Sequence, residues 1–194
     1  MASFLHVVTN FGDLGVLLPM VLVISIWLLA IGRYRLLVWW LIAAFACIGS
    51  TGVLKIYFYV CPPIPDLHSP SGHTSLSTLV YGALTLAVAT TFVRWRRLAI
   101  MLLGAVFILS IDLSRIVLHY HSIIEVLIGS VIGIATLALF GFEFWKHRPT
   151  EPRLQALLVT SLVLMVLLNG EDVRAEEFLH AIAIYFHHAG MFCI

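Results

Sequence analysis

Six long runs of apolar residues, over 14–32, 37–60, 72–93, 98–118, 121–145 and 154–170, constrain this chain more than any other feature in it. About 20 predominantly apolar residues in a helix cross the hydrocarbon core of a bilayer. The runs predict an all-α fold: an integral membrane bundle of six transmembrane helices, the last of them short. Composition agrees, with 61% hydrophobic and 11% charged residues against about 45–50% and about 25% in soluble domains. No repeat and no linker divides the runs, so residues 1–194 are expected to form a single domain. A net charge of +1 is no electrostatic footprint for nucleic acid, which leaves membrane lipids as the expected surroundings. Met1 to Gly15 contains no Lys or Arg. A secretory signal opens with a basic region, so the first run is expected to be a retained span.

The basic residues take sides. Arg33 and Arg35 follow the first run, Arg94, Arg96 and Arg97 the third, and Lys146, Arg148 and Arg153 the fifth. In a six-span chain these connections share one face, which the positive-inside rule assigns to the cytoplasm. Trp39, Trp40, Trp95 and Trp145 fall near that edge, where interfacial anchors gather. The other face, periplasmic or exterior if this is a bacterial inner-membrane protein, holds the N-terminus, the 61–71 connection, the 118–121 turn and the tail. Pro62, Pro63 and Pro65 make the 61–71 connection rigid and non-helical. Cys47 falls inside a run, Cys61 beside the prolines and Cys193 near the end; that spacing is neither a disulfide framework nor a zinc pattern and predicts three unpaired thiols.

Two short stretches bring chemistry to the non-cytoplasmic face. Pro70-Ser71-Gly72-His73-Thr74-Ser75 opens the third run. A helix N-terminus carries unpaired N–H groups and partial positive charge, an anion site in waiting. Gly72 admits a close ligand, and Ser71 can both cap the helix and donate to a phosphate oxygen. The second stretch is Asp112, Ser114 and Arg115 at the end of the fourth run, then His121 and Glu125 opening the fifth. His121 and Glu125, four apart, share a helical face, so the carboxylate can hold one imidazole nitrogen and leave the other free to attack. Arg115 offers a bidentate fork for phosphate, and Lys55, late in the second run, a second cation. The plainer alternatives are an ordinary Ser cap beside a boundary histidine, and an interfacial ion pair of Arg115 with Glu125 or Asp112. Ionisable residues in apolar segments are costly, which favours function. Asp66 and His68, in the proline-rich connection, are further polar groups able to touch a substrate.

Pro70-Ser71-Gly72-His73 followed by Ser114-Arg115-x5-His121-x3-Glu125 resembles the type 2 phosphatidic acid phosphatase superfamily, which includes lipid phosphate, undecaprenyl pyrophosphate and phosphatidylglycerophosphate phosphatases. The resemblance runs from about Lys55 to Gly129. It implies that His121 is the nucleophile forming a phosphohistidine, that His73 is the general acid, and that Lys55, Arg115, Ser71, Gly72 and Ser114 bind phosphate, with no metal and no cofactor. The substrate it implies is a lipid phosphate or pyrophosphate. Two departures stand out. Pro62 occupies the place of the first motif's arginine, and Glu125 that of the third motif's aspartate. His119-Tyr120 also resembles the family's His-Tyr pair; the spacing from Arg115 and the register of Glu125 favour His121 over His119 as nucleophile. A lipid-to-lipid phosphotransferase and a non-catalytic lipid-binding or transport relative are the rival readings. Past the last run, Phe178, Ile182, Tyr185 and Phe186 recur at helical spacing, predicting a short amphipathic C-terminal helix within an extramembrane tail over 171–194.

Overall fold

The computed structural model describes residues 2–61, 69–147, 154–170 and Ile184. Among these every element is a helix: α1 (Ala2–Asn10), α2 (Leu14–Ala30), α3 (Tyr34–Val60), α4 (Gly72–Ala89), α5 (Arg94–Val117), α6 (Ile123–Lys146) and α7 (Leu154–Leu167). Each predicted run contains one helix, and local chemistry sets the ends. At the close of α2, Gly32 adopts φ 71°, which a side-chain-free residue takes without strain. The Gly32 N–H then reaches the Leu29 carbonyl and the Arg33 N–H the Leu28 carbonyl, the paired bonds of a Schellman stop. Ser71 caps α4 by accepting from the Thr74 N–H, and Ser122 caps α6 by accepting from the Glu125 N–H.

By length and composition, α3, α5 and α6 can each cross a membrane, and α1 with α2 would make a fourth span if counted as one helix bent by 41°. All six predicted runs are therefore helical, but three to four, not six, meet the requirement for a span on their own. α7 has 14 residues, roughly 21 Å of rise. α4 carries Thr74, Ser75, Ser77 and Thr78 in its first half, all buried. It packs against α2, α3, α5 and α6. Because its neighbours enclose it, it can hold hydroxyls that a lipid-facing helix could not. Helix α1 was not anticipated from the runs.

The α4–α6 contact depends on two small residues one helical turn apart. A Cβ on Gly129 would lie 2.5 Å from the Ser71 carbonyl oxygen, and one on Gly133 would lie 2.6 Å from the Ser75 carbonyl oxygen. This small-xxx-small pairing lets two backbones approach where lipid provides no hydrophobic drive. The outward surface is apolar instead: Phe45, Leu103 and Val131 are all exposed.

Two further expectations are corrected. Trp40 is fully buried, its indole N–H shared between the Val21 carbonyl and the Ser25 hydroxyl and its ring edge-on to Phe140, so it is a core residue and not an interfacial anchor. Trp95 and Trp145 are exposed, Trp145 lying under the Arg97 guanidinium. Cys61 is disulfide-bonded and Cys47 is free and buried, so the chain does not carry three unpaired thiols. The amphipathic C-terminal helix, the proline-rich loop with Asp66 and His68, and Arg148 and Arg153 lie outside the described residues.

Gly129→Ala and Gly133→Ala are each expected to destabilise the bundle by about 1–3 kcal/mol through overpacking, even though alanine is the better helix former. The reading is a lower thermal midpoint in detergent. Gly49→Ala, with nothing within 4 Å of its added Cβ, provides the control and stays within about 0.5 kcal/mol.

Candidate active site

The site forms where the first turns of α4 and α6 meet. Glu125 is the third residue of α6, and its backbone N–H bonds the Ser122 hydroxyl at 3.3 Å while its Oε2 accepts from the Ser122 N–H at 3.1 Å, a complete capping box. The same Oε2 lies 2.8 Å from Nδ1 of His121, and Oε1 accepts from the Ser69 N–H at 2.9 Å. The Glu125 carbonyl oxygen accepts from the Ser71 N–H at 3.1 Å. Glu125 is 4% exposed. One residue thus ends the 69–71 stretch, starts α6 and holds the imidazole of His121 by one nitrogen, leaving Nε2 for other work.

Around that imidazole stand two cations. Lys55, on α3 and buried, passes over the start of α4, its Cε 3.7 Å from where a Gly72 Cβ would lie. Arg115, also buried, donates from Nη1 to the Thr9 hydroxyl at 3.2 Å and stacks 4.5 Å from the Tyr120 ring. Its carbonyl oxygen accepts from the N–H groups of Tyr120 and His121, which folds the chain back on the end of α5. Burial pushes the His121 imidazole below its ordinary pKa. The Glu125 hydrogen bond opposes the fall, and the Arg115 and Lys55 charges deepen it. Ser71 is fully buried at the cap of α4.

His73 lies in the first turn of α4, and its Nε2 is 2.7 Å from Oδ1 of Asp13. Asp13 was not singled out from the sequence. It comes from the break between α1 and α2, which is held against α4 by the Tyr81 hydroxyl donating to the Phe11 carbonyl at 2.6 Å. A signal was available: Asp13 is the first acidic residue, with no other before Asp66, and it opens an apolar run. Thr9, the partner of Arg115, carries no such mark.

The structure therefore gathers Lys55, Ser71, Gly72, His73, Arg115, His121 and Glu125 at one end of the bundle. Ser114 is placed differently: it is fully buried and its hydroxyl donates to the Ile111 carbonyl of its own helix at 2.6 Å. His119 is exposed in the turn with φ 57°, a left-handed conformation, whereas the Glu125 carboxylate holds His121.

Comparison with known proteins agrees with this geometry. Residues 60–149 match the family model of the PAP2 superfamily, whose members are generally phosphatases. The resemblance read from the two motifs is borne out over that segment, which contains His73, Arg115, His121 and Glu125. Lys55, Thr9 and Asp13 lie before it. A relative in Klebsiella pneumoniae, an uncharacterized 22.5 kDa protein in the cps region, is 29% identical over 139 residues, covering 70% of this chain and 66% of its own length. No solved structure matches.

Because Glu125 serves the Ser69 N–H and the His121 ring together, its arm length matters. Glu125→Asp, although it restores the aspartate of the resembled family, is expected to release one of the two. Loss of one charge-assisted bond, about 1.5–3 kcal/mol, predicts roughly a 10- to 100-fold fall in kcat/KM, measured on the purified protein in lipid nanodiscs.

Proposed function

We propose that this chain, whose residues 60–149 match the PAP2 superfamily model, is a metal-independent phosphatase of a lipid phosphate or pyrophosphate, working through a phosphohistidine. The observation that carries the reading is His121, held at Nδ1 by Glu125 beside the buried cations Lys55 and Arg115. Nε2 of His121 attacks phosphorus in line, and the bond from phosphorus to the lipid oxygen breaks. His73 gives its proton to the departing oxygen, and water then attacks the phosphohistidine, returning both rings to their starting state. Lys55, Arg115 and the N-terminus of α4 neutralise the phosphoryl oxygens, which is where most of the catalysis of phosphoryl transfer arises. The lipid chains remain in the bilayer.

In the same reading α2 to α7 make six crossings and the site faces the non-cytoplasmic side, the periplasm or exterior of a bacterial inner membrane. Two observations support this. Arg35 and Lys146 both pair with Glu143, and Arg97 covers Trp145, so the basic connections cluster at the end away from the site. The disulfide of Cys61, next to the α3 end of the site, belongs to an oxidising compartment.

The test is phosphate release, with chelator present, from diacylglycerol phosphates, phosphatidylglycerophosphate and polyprenyl pyrophosphates. His121→Ala is expected to lose at least about 10³-fold, with an acid-labile phosphoprotein detected in the wild type and absent from the variant. His119→Gly is expected to retain activity and to relieve about 1 kcal/mol of left-handed strain. Phosphate appearing on a second lipid and not in solution would mark a phosphotransferase; binding without release would mark a non-catalytic relative.

The reading also fixes the direction of a pH effect. His121 must be neutral to attack, and its lowered pKa keeps it neutral to more acidic pH. The acid limb of the kcat/KM profile is therefore expected below the ordinary imidazole range, with activity intact above it and lost as pH falls through it. An acid limb above that range would contradict the assignment of His121.

A further inference from the structure

We propose that Asp13 is the positioning residue of the acid–base histidine: its carboxylate accepts from Nε2 of His73 and so leaves Nδ1 as the nitrogen that passes a proton to the leaving group. The role rests on the phosphatase reading, but the pairing itself does not.

Three observations carry it. Asp13 occupies the N-cap of α2, with extended backbone, yet its side chain makes no capping bond. An aspartate there would ordinarily accept from the helix N–H groups and contribute about 0.5–2 kcal/mol. This one forgoes the cap and turns to His73, sixty residues away, at 2.7 Å. The break that carries it is built to stay in place. The Phe11 carbonyl is held by the Tyr81 hydroxyl of α4, and a Cβ on Gly12 would meet Ile111 Cγ2 at 2.9 Å and His73 Cβ at 3.5 Å, so the turn lies directly on α4 and α5. Finally, the arrangement repeats what Glu125 does for His121, a carboxylate on one ring nitrogen and the other nitrogen left over. A carboxylate behind an imidazole selects its tautomer and stabilises the imidazolium.

The proton accounting follows. In the first step imidazolium His73 gives the Nδ1 proton to the lipid oxygen as the phosphorus–oxygen bond breaks, becoming a neutral ring with its remaining proton on Nε2, facing Asp13. In the second, Nδ1 takes a proton from the water that attacks the phosphohistidine, and the electron pair of the phosphorus–nitrogen bond returns to His121.

The experiment uses the full chain in lipid nanodiscs. Asp13→Asn is expected to lower kcat on a lipid phosphate by at least roughly tenfold and by no more than the roughly 10²–10⁴ that a general acid contributes, with KM little changed. On p-nitrophenyl phosphate, whose leaving group needs little protonation, the loss is expected to be at least tenfold smaller. In a His73→Gln background Asp13→Asn adds nothing, and Asp13→Glu recovers part of the rate. Equal losses on both substrates, or losses that multiply with His73→Gln, overturn the proposal. Independently of turnover, ¹⁵N-histidine NMR, with His73 assigned by its absence from His73→Gln, is expected to find the neutral ring protonated on Nε2 in the wild type and to lose that preference in Asp13→Asn. A tautomer indifferent to Asp13 overturns the pairing. A wild type that releases no phosphate from any substrate, yet shows the Asp13-dependent tautomer, removes the phosphatase reading and upholds the pairing.

Discussion

Glu125 is the interaction on which the site depends. Its two carboxylate oxygens and its backbone carbonyl hold three separate pieces of chain: the Ser122 N–H that starts α6, the His121 ring, and the 69–71 stretch that starts α4. A buried carboxylate is costly unless its acceptor capacity is filled, and here both oxygens have partners. The same bonds that satisfy the charge therefore fix the relative position of two helix N-termini. This also gives the glutamate a physical reason. The third position of a capping box calls for a side chain long enough to return to the cap N–H, and this one must reach Ser69 as well.

Position alone would not bring the helices together in lipid, where apolar side chains gain nothing by leaving the bilayer. The approach of α4 to α6 is made possible by the absence of side chains at Gly129 and Gly133, which puts the Ser71 and Ser75 carbonyls against the α6 backbone. Two α4 hydroxyls find nearby acceptors, Ser77 on the Thr74 carbonyl and Ser75 on the Gly72 carbonyl, with Thr51 of α3 against Ser75 at 3.0 Å. Polar side chains gathered inside the bundle and an apolar exterior are the two halves of one solution, since lipid offers no partner to a polar group.

Much of this was legible before any coordinates. The apolar runs located every helix from α2 to α7, and the four-residue spacing of His121 and Glu125 located a contact, because helix geometry turns that spacing into proximity. What escaped was whatever depends on distant partners. Asp13 meets His73 only because the chain breaks at residues 11–13 and Tyr81 holds the break. Trp40 sits at a sequence position that suits a membrane edge, but Ser25 and the Val21 carbonyl offer its N–H a partner inside, so it is buried. No spacing rule marked Cys61 as disulfide-bonded. α1 is 9 residues long, too short to register as a span and recognisable only as part of a bent pair.

Helix α6 also sets the depth of the arrangement. It carries one buried carboxylate near each end, Glu125 in the first turn and Glu143 in the last, separated by roughly 27 Å of helix rise. That is close to the roughly 30 Å of a bilayer's hydrocarbon core. The two carboxylates face opposite electrostatic conditions. At the N-terminus Glu125 is favoured by the helix dipole, whereas Glu143 near the C-terminus is opposed by it. At that end Arg35 at 3.2 Å, Lys146 at 3.5 Å and His147 at 3.6 Å surround Glu143. The Arg35 contact also ties α3 to α6 at the Glu143 end. At the Glu125 end the dipole and the capping box favour the carboxylate, which also holds the His121 ring, and Lys55 and Arg115 are buried beside that ring.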